Sequence, residues 1–123
     1  MSAPKILSLK DAEVRQALGG TLKVMFTPDS AGTKNFRFVV GYFAPGEGLR
    51  AHIHPESEEV YYVTGGRGTV YLGKEQKAIP VEPEMGLYIP AGTIHKVVNT
   101  GKERLVIAFF VAPGKEPTKE ATV

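Results

Sequence analysis

Apolar and polar residues alternate over short stretches along most of the chain, and glycine or proline separates each stretch from the next. Aromatic and β-branched residues are frequent in these stretches, and both residue classes favour strands. The pattern therefore predicts many short strands and indicates an all-β protein. The predicted strands cover residues 35–43, 59–64, 69–72, 78–81, 87–89, 95–99 and 105–111.

The segment 105–111 (LVIAFFV) is apolar on both of its faces. Such a segment is typical of a strand in the middle of a sandwich or barrel, where both faces are covered. Residues 100–102 (TGK) predict a hairpin turn between this strand and the one before it. The tail, residues 114–123, is polar and contains proline, so we expect it to be frayed.

A helical pattern is absent from the second half of the chain, and only one short helix is predicted near the N-terminus. Ser8 and Asp11 form a capping pattern there, and Gly19 and Gly20 would end the helix. The short strands and their glycine and proline turns favour a sandwich or a barrel. The strand pattern alone does not choose between an immunoglobulin-like sandwich and a jelly roll.

Length and charge narrow the classes of function. A chain of 123 residues without an internal repeat suits one domain. The net charge is +2 and the basic residues are scattered, so neither nucleic acid nor an anionic membrane is expected as a partner. Cysteine is absent, which excludes disulfides and thiolate metal sites. We expect a soluble, cytoplasmic protein, because no leader pattern and no apolar run of about 18 residues is present.

The three histidines stand in a pattern that suggests a metal site. His52 and His54 are two residues apart, so on a strand they would point to the same face. Glu59 follows on the next predicted strand, and His95 comes after the turn at residues 90–92. Imidazole and carboxylate groups suit a divalent transition metal. The sequence therefore predicts a metal ion between His52, His54, Glu59 and His95.

The spacing of these residues resembles two motifs of the cupin superfamily. The first motif, G-x5-H-x-H-x(3,4)-E-x6-G, is matched by Gly46, His52, His54, Glu59 and Gly66. The second motif, G-x5-P-x-G-x2-H-x3-N, is matched from its proline onward by Pro90, Gly92, His95 and Asn99. Together the two motifs span a little under half of the chain.

Two positions depart from the motifs. Glu84 stands where the second motif opens with glycine, which brings the local turn into question. Glu58 with Gly65 fits the shorter spacing of the first motif as well as Glu59 with Gly66 fits the longer one. Glu59 is preferred, because the hydrophobic strand usually begins directly after the ligand in the family. We expect Asn99 to tie backbone groups at the end of a strand.

The resemblance implies a double-stranded β-helix, a jelly-roll barrel, as one cupin domain over residues 1–123. Its barrel core would cover about residues 21–112 and leave the tail outside. It also implies one divalent ion per chain, such as iron, manganese, nickel or zinc. A homodimer is expected, both because small cupins are often dimers and because residues 35–43 and 105–111 carry apolar side chains on both faces.

Four protein ligands leave two positions of an octahedral ion open, which suits catalysis on a small oxygenated metabolite. We rank oxidative cleavage of the dioxygenase type slightly ahead of a second reaction class, which is isomerase or lyase chemistry on a sugar or keto acid. A non-catalytic protein that binds a small molecule is the alternative from another class.

Three further residues are candidates for a role beside the metal ion. Tyr61 shares the face of Glu59 and would act as a proton donor, or it packs in the core. Arg50 is two residues before His52, so on a regular strand it would point to the same face and could hold an anionic group. The alternative is that Arg50 lies on the barrel rim. Arg37 is either an inward anion clamp or the polar side of an edge strand, and the edge is slightly favoured.

Overall fold

The structure is a computed structural model that describes residues 3–115 and 117–122. Leu9–Asp11 forms one turn of 3-10 helix, and α1 covers Pro28–Ala31. No helix among the described residues is long and apolar enough to span a membrane. The strands are β1 (Glu13–Ala17), β2 (Gly20–Phe26), β3 (Arg37–Phe43), β4 (Gly48–Ile53), β5 (Glu58–Gly65), β6 (Gly68–Leu72), β7 (Lys77–Val81), β8 (Gly86–Ile89), β9 (His95–Val98), β10 (Leu105–Ala112) and β11 (Lys119–Glu120).

The strands form two antiparallel sheets that share one hydrophobic core. One sheet has the order β1-β2-β3-β10-β5-β8, and the other has the order β11-β4-β9-β6-β7. The chain passes repeatedly from one sheet to the other, which is the winding of a double-stranded β-helix, or jelly roll. The prediction of an all-β jelly-roll barrel is therefore confirmed. The core includes residues from both sheets, among them Leu49, Tyr61, Val70, Val97, Ile107 and Phe109.

Strict alternation of side chains explains the two long central strands. In β5 the residues Glu59, Tyr61 and Val63 are buried, whereas the residues between them are exposed. In β10 the odd-numbered residues from Leu105 to Val111 are buried in the same way. One face of each strand therefore packs in the barrel, as the two-residue period of a strand requires.

The predicted N-terminal helix is wrong beyond its first turn. Glu13–Ala17 instead pairs with Gly20–Phe26 as a hairpin, in which Ala17 lies opposite Gly20. The two loop residues, Leu18 and Gly19, have φ angles of 50° and 87°. Two positive φ angles are typical of the hairpin turns whose twist matches that of the strands, and glycine adopts this conformation without strain. Gly19 therefore lies in a hairpin turn and Gly20 begins β2, so neither residue ends a helix.

The predicted hairpin at residues 100–102 is also wrong, because β9 and β10 lie in different sheets and do not pair. Buried Asn99 stabilises this crossing. Its side-chain amide donates hydrogen bonds to the carbonyl oxygens of Phe43 and Glu103, both at 2.8 Å. Its side-chain oxygen accepts from the backbone N–H of Gly101 at 2.9 Å. The prediction that Asn99 ties backbone groups together is confirmed.

The C-terminal segment is more ordered than its composition predicts. Lys119–Glu120 forms β11, which pairs with β4, so that Glu120 lies opposite His52. The backbone N–H of Ala121 also donates to the carbonyl oxygen of Ala51 at 2.8 Å. The expectation of a frayed tail is therefore wrong for these residues, whereas residues 116 and 123 lie outside the described part. The segment is attached to the strand that carries the first histidines.

Candidate metal centre

The four predicted ligands converge between the two sheets. His52 on β4 lies directly opposite His95 on β9, and Glu59 comes from β5 in the other sheet. His54 lies one residue beyond the end of β4. The exposed fractions of the four residues are only 1–4%. One ligand atom from each residue lies within 4.8 Å of the others, so the cluster has the size of a metal site.

The turn of the second motif supports the histidines of the first. The backbone N–H of Gly92 donates to the carbonyl oxygen of His54 at 2.9 Å, and Gly92 has a φ angle of 79°. Glu84, which replaces the motif's opening glycine, also has a positive φ angle, of 73°. Glu84 therefore adopts the backbone conformation that glycine favours, and its side chain makes this conformation sterically strained.

Main-chain oxygens orient two of the imidazole rings. Nδ1 of His52 donates to the carbonyl oxygen of Arg50 at 2.7 Å, and Nδ1 of His95 donates to that of Thr93 at 2.8 Å. A carbonyl oxygen can only accept a hydrogen bond, so Nδ1 of each ring carries a proton. When these rings are neutral, their Nε2 lone pairs point into the cluster, which is the tautomer that a metal ligand requires.

The contacts within the cluster require a positive charge at its centre. Oε1 of Glu59 lies 2.9 Å from Nε2 of His95 and 3.1 Å from Nε2 of His54. Both partners of the His95 ring are thus acceptors, and only a second ring proton or a cation satisfies them. A divalent ion between the carboxylate and the Nε2 atoms would take the place of such protons.

Electrostatics favour the charge states that a metal ion needs. Burial alone would raise the pKa of Glu59, but hydrogen bonds from His54 and His95 lower this pKa to about 2. Burial, with a smaller effect of nearby His95, lowers the pKa of His52 to about 4. At neutral pH the carboxylate is therefore ionised and His52 is neutral. Three nitrogens and one carboxylate oxygen without thiolate fit a divalent transition metal.

A cavity of about 660 Å³ opens onto the cluster. His52, His54 and Glu59 line it, together with the β1–β2 hairpin, α1 and the C-terminal segment. This volume lies in the range of small-molecule sites. Apolar and polar residues line the cavity in nearly equal number. The apolar ones are Ala17, Leu18, Leu22, Val24, Pro28, Val39, Leu49, Phe109, Val111 and Pro117, and the polar and charged ones outside the cluster include Arg15, Asp29, Arg37, Lys115 and Thr118.

Arg37 lies beside the cluster, on the cavity wall. Its strand, β3, is flanked by β2 and β10, so the prediction of an edge strand is wrong and the inward alternative describes its position. The guanidinium donates to the carbonyl oxygen of Gly114 at 3.0 Å and to Oγ1 of Thr118 at 3.2 Å. Its Nη2 also lies 3.4 Å from Nδ1 of His54. A positive charge is thereby placed next to the ligand set.

Arg50 does not point inward with His52, although the two share parity in the sequence. Between Leu49 and His52 the pairing of β4 with β9 contains a bulge, in which three steps along β4 match two along β9. The extra residue inverts the alternation. The Arg50 side chain is 58% exposed and forms an ion pair with Glu120 at 2.9 Å. It lies outside the residues that line the cavity.

Tyr61 faces inward like Glu59, but it packs in the core. Its ring lies edge-on against Phe109 at 4.5 Å and against His95 at 5.9 Å, measured between ring centroids. The hydroxyl is buried without a hydrogen-bond partner, and Tyr61 is absent from the cavity wall. Burial, with the nearby charge of Glu59, raises the pKa of the hydroxyl well above 10. This position fits the core alternative and not proton donation into the cavity.

Comparison with known proteins identifies the family. Residues 39–112 match the Cupin domain family. Polyketide synthase CurC of Streptomyces cyaneus is 33% identical over 110 residues, which cover 89% of this chain and 70% of that protein. Protein SchB of Streptomyces halstedii is 32% identical over 109 residues, which cover 89% of this chain and 78% of the relative.

Among solved structures, the polyketide cyclase RemF from Streptomyces resistomycificus has a TM-score of 0.82 at 18% identity. The match covers 98% of this chain and 87% of RemF, and it shows a shared fold. The chain therefore belongs to the cupin family, as a small single-domain member. Cupins of this fold include enzymes, and this chain carries a four-residue cluster that is able to hold a metal ion.

Proposed function

We propose that the chain is a metal-dependent enzyme that closes a ring in a polyketide-like substrate, a largely apolar chain of enolisable carbonyl groups. The observation that carries this proposal is the position of the His52, His54 and Glu59 side chains on the wall of a cavity of about 660 Å³ whose other lining residues are both apolar and charged. Apolar residues beside such a polar centre suit a carbon skeleton that presents oxygen atoms to the centre.

The charge of the centre favours a substrate oxygen that becomes negative. Three neutral imidazoles and one carboxylate around a divalent ion leave a net charge of +1, and Arg37 adds a second positive group nearby. A bound divalent ion would supply Lewis-acid stabilisation of negative charge that develops on a carbonyl oxygen. Transfer of a proton from a carbon next to a carbonyl to a water molecule produces such charge. That carbon then attacks a second carbonyl, whose oxygen takes up a proton from water, and loss of the new hydroxyl with a second α-proton as one water completes the ring.

The protein's own residues would bind and fold the substrate. Arg37 would hold an anionic end group by charge-assisted hydrogen bonds. Leu22, Val39 and Phe109 would pack against the carbon chain and exclude water from the reacting carbonyl groups. The similarity to CurC supports this substrate class, because CurC is described as a polyketide synthase.

Oxygen-dependent cleavage, which the sequence places slightly ahead, is the second candidate. The observation that favours it is the ligand set itself, because three imidazoles and one carboxylate leave two positions open on an octahedral ion. Iron in such a site can bind dioxygen and a substrate together. Cyclisation is ranked first because the cavity holds about 660 Å³ and ten of its twenty lining residues are apolar.

One reaction mixture separates these candidates. Protein loaded in turn with zinc, manganese or iron is incubated with a linear poly-β-ketone acid, while oxygen uptake and product mass are recorded. Loss of one water from the substrate without oxygen uptake is the expected result. Incorporation of dioxygen would favour cleavage instead. Tight binding of the acid without turnover by any metal form would favour the non-catalytic binding alternative.

Arg37→Met is expected to reduce kcat/KM for the acid roughly 10- to 100-fold, because one hydrogen-bonded charge is worth about 1.5–3 kcal/mol. The neutral methyl ester of the same substrate should lose little. Arg50→Met is the matched control, since this arginine is exposed and paired with Glu120 outside the cavity wall. Equal losses in the two variants, or equal losses for acid and ester, would contradict the role of Arg37. Metal content is measured in both variants.

We also propose that two copies pair through the outer face of the six-stranded sheet. Val60, Tyr62, Tyr88 and Phe110 are 40–61% exposed on adjacent strands, and Phe110 stacks on Phe36 at 5.2 Å. A continuous apolar face of this kind usually packs against a partner. Light scattering should report about twice 13.3 kDa, and Phe110→Glu should shift the mass towards that of one chain. A monomer mass for the unchanged protein would contradict the pairing.

A further inference from the structure

The outer nitrogen of His54 is held differently from those of the other two histidines. His52 and His95 each donate from Nδ1 to a main-chain oxygen close in sequence. Nδ1 of His54 instead faces two side chains, Oγ1 of Thr118 and Nη2 of Arg37, each at 3.4 Å. Thr118 stands 64 residues away in sequence, on the C-terminal segment. The orientation of this ring therefore depends on a distant side chain.

The two neighbours of Nδ1 differ in the tautomers that they can stabilise. A threonine hydroxyl can accept from a protonated Nδ1 or donate to an Nδ1 lone pair, so Thr118 is the neighbour that can stabilise the tautomer with the proton on Nδ1 and the lone pair on Nε2. A guanidinium can only donate, so Arg37 stabilises the tautomer with the lone pair on Nδ1 and the proton on Nε2. In that second tautomer Nε2 donates to Oε1 of Glu59, 3.1 Å away, and cannot bind a metal ion.

Arg37 also interacts with the threonine. Its Nη2 donates to Oγ1 of Thr118 at 3.2 Å. The hydroxyl oxygen has two acceptor lone pairs, so it can accept from Arg37 and from Nδ1 of His54 at the same time. In the metal-binding tautomer the threonine oxygen is therefore an acceptor that the guanidinium and Nδ1–H can share.

We propose that Thr118 is a positioning residue that selects the metal-binding tautomer of His54. This inference rests on the metal centre of the proposed function. The C-terminal segment places the hydroxyl through main-chain contacts, because β11 pairs with β4 and the N–H of Ala121 donates to the carbonyl oxygen of Ala51. A residue of the tail therefore contacts one of the ligands, although all four ligands lie earlier in the chain.

Metal affinity of the full chain tests this role without any assay of activity. Zinc affinity is measured by competition with a chelator at fixed pH for Thr118→Val, Thr118→Ser and Glu120→Gln. Valine has the shape of threonine without the hydroxyl, so affinity should fall roughly tenfold, the lower end for loss of a ligand's hydrogen-bond partner. Serine keeps the hydroxyl and should restore wild-type affinity. Glu120→Gln removes an exposed ion pair of the same segment but keeps its main-chain pairing and does not touch His54, so its affinity should stay close to wild type.

A nitrogen-15 spectrum of the imidazoles in the metal-free protein provides a second measurement. In Thr118→Val the His54 signals should shift towards the tautomer protonated on Nε2, whereas those of His52 and His95 should not move. Equal affinity in all variants would overturn the inference and leave the metal centre standing. The same loss in Glu120→Gln as in Thr118→Val would also overturn it, since packing of the segment would then explain both. A wild-type protein without zinc affinity would overturn the metal centre and this inference together.

Discussion

Replacing His52 or His95 with alanine is expected to release most of the metal ion from the protein. The unchanged chain should hold about one divalent ion when purified. Each substitution removes one of three nitrogen ligands, and the remaining groups cannot close around the vacant position because β5, β9 and the end of β4 hold them in place. The loss should therefore exceed the roughly 10- to 100-fold that follows removal of a ligand's hydrogen-bond partner.

Elemental analysis of the purified variants measures this loss directly. The sequence contains only the three histidines of the cluster, so no other imidazole competes for the ion. A thermal melt of each variant serves as the control for folding. Full metal occupancy in the double variant of His52 and His95 would show that the ion binds elsewhere.

Glu59→Gln should weaken metal binding as strongly as the histidine substitutions do. Glu58→Gln should leave metal binding almost unchanged. The amide of glutamine has the shape of the carboxylate but lacks its negative charge, which compensates half of the charge of a divalent ion. Burial of Glu59 at 4% exposure makes this charge more effective, because water screens it little.

Glu58 provides the matched control for this substitution. It is the neighbouring residue on β5, but its side chain is exposed and accepts a hydrogen bond from the hydroxyl of Tyr88. Metal affinities of the two variants, measured by chelator competition, decide between the two spacings of the first motif. The reverse order of effects would mean that Glu58 is the ligand and that the shorter spacing applies.

The strands and the metal cluster were predictable because both follow a simple period. Alternation along β5 separates Glu59 and Tyr61 from Glu58 on opposite faces. The spacing of two between His52 and His54 predicts side chains on one face, and both enter the cluster although His54 lies beyond the end of β4. The all-β class follows from the same pattern, whereas the jelly roll was predicted from the spacing of the two cupin motifs, because the strand pattern also suits a sandwich.

The errors occur where pairing or distance in space overrides the local pattern. The bulge in β4 inverts the direction of Arg50, and a count of alternating positions assumes regular pairing. The β1 strand is almost fully exposed, so it has no apolar alternation by which it could be predicted. Thr118 lies in a polar tail, and its relation to His54 depends on the pairing of β11 with β4. No residue near Thr118 in the sequence indicates this contact.

The main-chain oxygens behind His52 and His95 have a consequence for how this site tolerates mutation over evolution. The main-chain carbonyl oxygen remains when Arg50 or Thr93 is replaced by almost any other residue. Substitutions at these positions therefore preserve the orientation of the His52 and His95 rings. The third imidazole lacks this protection, because one substitution at position 118 removes its acceptor. Metal affinity can therefore be adjusted through the C-terminal segment, while the chemistry at the other two histidines stays constant.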